Sequence, residues 1–266
     1  MNLRTIGLLV VVSVVSAVAS AYAQCPGGLV PDLQTVVPKH LAIQNAHGRE
    51  ILRFSNGIAN RGAGHWQMRP ITDPGTSLIV DATQDILDAA GNVVCTFPVG
   101  EFLFHPEHNH WHISDVALFE VRLAKDGGRG GSMGKVLRND RGLANSLKTT
   151  FCLIDWYRLD DNAPTKARIY WDCLNSLQGI QTGWVDQYHQ ALEGQQLDVT
   201  GAPAGIYYLL STANPDCAYI ESDCRNNGAW TSFRLSRDSL GNAKIDEIAH
   251  SPCDTPGMCG EQATNR

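Results

Sequence analysis

The stretch DVALFEVRLA, residues 115–124, reads with a period of two from Val116 to Leu123. Successive strand side chains point to opposite faces, so this pattern predicts a strand with one face in a core. Working outward, the other apolar runs are also short. SLIVDATQDILDAAGNVVCTFPV (77–99) holds two of them around Ala90-Gly91-Asn92, which predicts a hairpin. ILRFSNGIANRG (51–62) starts as a strand and runs into a Gly/Asn turn, while GIYYLLSTANP (205–215) and WTSFRLS (230–236) are further compact strands. A helical period is missing, apart from a short helix expected near 141–148. The expected fold is all-β or β-dominated, an antiparallel β-sandwich with long loops and few short helices.

Of 266 residues, 21 are basic and 27 acidic, a formal net charge of −6, with 43% hydrophobic and 18% charged. That is the composition of a packed chain, and it excludes a disordered tail, a collagen-like repeat and a coiled coil. No basic stripe is available for phosphates, which excludes a nucleic-acid partner. Residues 1–23 read as a secretory signal peptide, with Arg4, an apolar run from Ile6 and an Ala21-Tyr22-Ala23 cleavage site. Cleavage there leaves 24–266 as a single domain without stable membrane insertion, secreted to an extracellular or periplasmic compartment. All eight Cys lie in that part. An even count in an exported chain predicts disulfides. Short spacings favour Cys152–Cys173, Cys217–Cys224 and Cys253–Cys259, leaving Cys25–Cys95, although spacing alone does not fix connectivity.

The chemistry concentrates in FHPEHNHWHIS, residues 104–114, which holds His105, His108, His110 and His112. Chance would place about 0.3 His in an eight-residue window such as His105 to His112, so the cluster calls for a cause. Imidazole is the commonest ligand for copper, zinc, iron and nickel. Residues two apart on a strand share a face at about 6.5–7 Å, so His108 and His110 can tilt toward one ion. His112 shares that face but reaches the same ion only if the strand twists, bulges or breaks into a loop. Pro106, Glu107 and Asn109 make such a break reasonable, and His105 falls on the other parity, in a supporting role.

Four segments, taken in order, resemble the catalytic domain of the lysyl oxidase family in a compact form. H-x-x-H-x-H-x-H with a following Asp, here His105 to Asp115, is similar to that family's copper-binding segment. KTTFCLID from Lys148, GWVDQY ending at Tyr188, and NPDCAYIESDCRNN (214–227) match three further family segments. The resemblance implies Cu(2+) on His108, His110 and His112. It also implies lysyl tyrosylquinone built from Lys148 and Tyr188, and oxidation of primary amines (peptidyl lysine, small amines or diamines) by O₂ to aldehydes. Side chains offer no electron sink for amine oxidation, so a cofactor must supply it.

Departures from the family pattern are informative. Glu107 stands where animal members carry a Cys, so the Cys matching Cys173 needs another partner, which by resemblance supports Cys152–Cys173. Phe119 replaces a His of animal members, leaving Asp115 and Asp186 as the carboxylates nearest the site in sequence. The net charge of the mature part favours cationic amines at encounter. Two other readings stand beside this one: a non-enzymatic exported copper-binding β-sandwich protein, and an iron or zinc enzyme with Glu107 or Asp115 as an added ligand. The sequence leaves the oligomeric state open.

Overall fold

The structure is a computed structural model, and it describes residues 25–260 apart from 74, 108, 175 and 176. The expected signal peptide therefore lies outside the described residues. Fifteen strands follow in order: β1 (Leu33–Ala46), β2 (Arg49–Asn60), β3 (Trp66–Pro70), β4 (Ile79–Leu87), β5 (Val93–His105), β6 (His110–Ala124), β7 (Met133–Val136), β8 (Ser146–Phe151), β9 (Tyr157–Arg158), β10 (Gln178–Ile180), β11 (Trp184–Tyr188), β12 (Gln196–Asp198), β13 (Gly205–Ala213), β14 (Gly228–Arg237) and β15 (Ala243–His250). A ten-stranded sheet runs β10-β3-β4-β5-β6-β13-β14-β15, with β7 and β8 also on β6. A five-stranded sheet runs β1-β2-β11-β9, with β12 on β2. All pairings between these strands are antiparallel.

The two sheets bury one core between them. Leu52, Phe54 and Ile58 of β2 meet Phe102 of β5, Val116, Phe119 and Val121 of β6, and Leu209 of β13. Phe54 and Phe119 pack edge to face with centroids 4.8 Å apart, a favoured aromatic geometry. Phe119, the residue that departs from the animal pattern, is thus a core side chain. The hairpin expected within 77–99 forms, closed by Asp88 N donating to Asn92 O at 2.9 Å, with Gly91 at a φ of 84° that only glycine adopts readily.

The short helix expected near 141–148 is absent, and the described residues contain no helix. Asn139 Oδ1 instead accepts the amides of Arg141 and Leu143, which closes a turn. The chain then leaves as β8, whose Leu147 and Lys148 pair with Phe119 and Leu118 of β6. Pairing with an existing strand satisfies the backbone and outweighs the weak local helical pattern. Disulfides join Cys25–Cys95, Cys152–Cys173, Cys217–Cys224 and Cys253–Cys259.

Candidate functional site

β5 and β6 form a hairpin whose last pair sets His105 opposite His110. Between the two strands Asn109 takes a left-handed φ of 52°, which its short polar side chain tolerates. Residues opposite one another across a ladder share a face, as do residues two apart. His105, His110 and His112 therefore stand on one face. The parity that would separate His105 holds only for an unbroken strand, and the hairpin reverses the chain. The His105 and His112 rings stack with centroids 4.4 Å apart and planes 27° apart.

Nε2 of His110 lies 2.8 Å from Nε2 of His112. That is hydrogen-bond distance, and it brings two imidazole nitrogens close enough to approach one ion. Nδ1 of His112 shares a hydrogen bond with Thr150 Oγ1 at 3.1 Å, which orients the ring and turns its Nε2 toward His110. His108 lies outside the described residues. A second group, His250, Cys253 and Cys259, is also compact. Its two sulfurs form a disulfide and are not thiolates, so it is a poor metal site as it stands.

Tyr188 ends β11, and its ring stacks on Phe151 of β8 with centroids 3.9 Å apart. Its hydroxyl donates to the carbonyl of Cys152 at 2.6 Å. A cavity of about 570 Å³ is lined by His110, His112, Tyr188 and Asp186, with Phe151 and Trp156 among its apolar walls. The two imidazoles and the phenol thus share one chamber. Asp186, two residues before Tyr188 on the same strand, is 2% exposed. Burial pushes its carboxyl well above the ordinary range, helped by the charge of Asp155; the amides of Ile154 and Gln187 oppose this only partly. Neither carboxyl oxygen receives a well-formed hydrogen bond. Burial, and then the charge of Asp186, also push the Tyr188 phenol well up.

Lys148 faces elsewhere. Its ammonium donates to Asp216 and lies 3.9 Å from the Asp115 carboxylate. The hydrogen bond to Asp216 first, and then the charge of Asp115, raise its pKa. Lys148 lines a second cavity, of about 500 Å³, with His105, Arg49 and Arg141. His112, Thr150 and Glu193 line both cavities and stand between them. Asp115 lines neither, and sits in β6 with a left-handed φ of 50°. The structure therefore gathers His105, His110, His112, Asp186 and Tyr188, and leaves Lys148 with Asp115 in a neighbouring group. Sequence reasoning missed Thr150, Glu193 and Asp216.

Fold and site together define a disulfide-linked, all-β protein in which an imidazole cluster shares a chamber with a half-buried tyrosine. Residues 132–242 match the sequence profile of the lysyl oxidase family. The chain is 28% identical over 127 residues to lysyl oxidase homolog 4 of Bos taurus, and to lysyl oxidase homolog 2 of Rattus norvegicus, covering 47% of this chain and 14% of each relative. Over 163 residues it is 28% identical to lysyl oxidase homolog 3A of Danio rerio, covering 57% of this chain and 20% of that relative. Over these residues the chain is similar to the lysyl oxidase family. The profile match holds Lys148 and Tyr188 and begins after the imidazole cluster, and the alignments span at most about a fifth of these relatives.

Proposed function

We propose that this protein is a secreted, copper-dependent amine oxidase that converts primary amines to aldehydes, taking up O₂ and releasing ammonia and hydrogen peroxide. The observation that carries the reading is the shared chamber of His110, His112 and Tyr188. His108, His110 and His112 would hold the copper, with Thr150 fixing the His112 ring. When bound, copper supplies the O₂ chemistry that makes a quinone of a tyrosine ring, and lysyl tyrosylquinone supplies the electron sink for amine oxidation.

The chain's own residues supply the setting. Phe151 holds the Tyr188 ring by stacking, and the Cys152 carbonyl holds its hydroxyl. Phe151, Ile154, Trp156 and Leu192 give the chamber apolar walls, against which the neutral form of an entering amine is favoured. Asp186, buried on the same strand face as Tyr188, is placed to hold or accept a proton at its carboxyl oxygens. Lys148 would have to leave Asp216 and Asp115, lose its proton and pass the wall of His112, Thr150 and Glu193 to join the Tyr188 ring. Four disulfides fit an oxidising compartment outside the cytosol.

Amine-dependent peroxide release by copper-loaded protein, lost in Tyr188→Phe, is the expected result; equal release by both proteins contradicts it. The separation of Lys148 from Tyr188 favours a second reading, an exported copper-binding β-sandwich protein that never forms the quinone. Copper binding without any amine-dependent peroxide would select it.

A further inference from the structure

The link between the imidazole segment and the tyrosine runs through one buried amide. Trp111, between His110 and His112, donates its backbone N–H to the carbonyl of Cys173 at 3.0 Å. Its own carbonyl accepts from Nε2 of Gln178 at 2.8 Å. The same Nε2 donates to the carbonyl of Leu174 at 3.0 Å. On its other side, Gln178 Oε1 accepts the amide of Leu153 at 3.0 Å. Leu153 follows Cys152, whose carbonyl holds the Tyr188 hydroxyl, and Leu174 follows Cys173. The Cys152–Cys173 disulfide closes the loop.

Gln178 has a side chain with 0% exposure, and each of these hydrogen bonds uses it fully. A primary amide is the group that does this: two N–H donors for two carbonyls on the metal side, one oxygen for an amide on the tyrosine side. An apolar side chain would strand the buried amide of Leu153 and take the donor from the part-buried carbonyls of Trp111 and Leu174, and a carboxylate would keep only the oxygen's role. A buried polar group left without a partner is costly, so the three segments are held to one arrangement.

We propose that Gln178, acting with the Cys152–Cys173 disulfide, is a positioning residue that sets the separation between the imidazole cluster and the Tyr188 ring. It touches neither metal nor substrate. Its role rests on the reading of that chamber as the catalytic one, while the link itself is testable without metal.

The test is amide hydrogen exchange on the metal-free full chain, followed by copper loading. In Gln178→Leu, the Trp111 amide should exchange about tenfold faster, while Leu209 in β13 stays unchanged. In Gln178→Glu, which keeps the acceptor for Leu153, the Trp111 amide should loosen and the Leu153 amide should stay protected. This second variant covers the case in which Leu prevents folding. After copper loading in air, both variants should bind copper with the wild-type stoichiometry and react with phenylhydrazine at least fivefold more slowly. Trp111 and Leu209 accelerating together would reduce Gln178 to a general stabiliser and overturn the proposal. An unchanged Trp111 amide would overturn it as well. A wild-type protein with no phenylhydrazine adduct would sink the oxidase reading, and the exchange data would still decide the link.

Discussion

Glu221 is a sharp test of how the fold handles a buried charge. Its carboxylate is 0% exposed and accepts from Leu33 N at 2.8 Å, Asn214 Nδ2 at 2.5 Å and Asn227 Nδ2 at 2.7 Å. These contacts explain the NPDCAYIESDCRNN segment: it ties the loop after β13 to the start of β1. Burial is the larger effect and raises the Glu221 pKa from 4.5 to about 7, against the three hydrogen bonds. The folded state therefore holds this proton more tightly than the unfolded chain. Its stabilising contribution is complete below about pH 4.5 and is lost as pH rises through about 7. A shift of that size corresponds to about 3 kcal/mol, at about 1.4 kcal/mol per unit. Glu221→Gln removes the titration and adds a cost of about 1–2 kcal/mol for misplacing a donor, independent of pH. The assay is urea unfolding of both proteins, disulfides intact, from pH 4.5 to 8.5. The stability advantage of the wild type over Glu221→Gln should shrink by about 3 kcal/mol across that range. A constant difference, or one that grows with pH, would show that the hydrogen bonds dominate and refute the reasoning.

Three other outcomes follow from the site. Thr150→Val removes the partner of His112 Nδ1 and should weaken copper binding about 10- to 100-fold in a competition titration, while His110→Ala should weaken it further. Asp216→Asn should make Lys148 acetylate faster at pH 8–9, by mass spectrometry, because Asp216 is the main cause of its raised pKa. Paired replacement of Cys152 and Cys173 by Ser, which opens a link across 21 residues, should cost about 3 kcal/mol in denaturant unfolding.

The strands that were legible in the sequence had strong local signals. The β4–β5 hairpin has its Gly91 turn, and β6 has its alternation. β15, a sheet edge with half its side chains exposed, carries no such alternation and was missed. β8 read as helix because its strand character comes from β6, a partner distant in sequence. In the site, the imidazole cluster was legible because its members are neighbours in sequence. The alignment of His105 with them was not, since it depends on the register in which β5 pairs with β6. Thr150, Gln178 and Asp216 act across 38, 67 and 68 residues, and nothing local marks them. The placement of Lys148 beside Asp216, in a different cavity from Tyr188, likewise depends on tertiary contacts alone.

The central claim is that an ion held by His108, His110 and His112 acts on Tyr188, which shares a chamber with His110 and His112, and that Lys148 joins the product. Peptide mapping of the full chain after copper loading in air tests it most directly. The account predicts one cross-linked species joining the peptides of Lys148 and Tyr188, carrying a phenylhydrazine adduct and absent when copper is withheld. Separate, unmodified Lys148 and Tyr188 peptides from fully copper-loaded protein would contradict it.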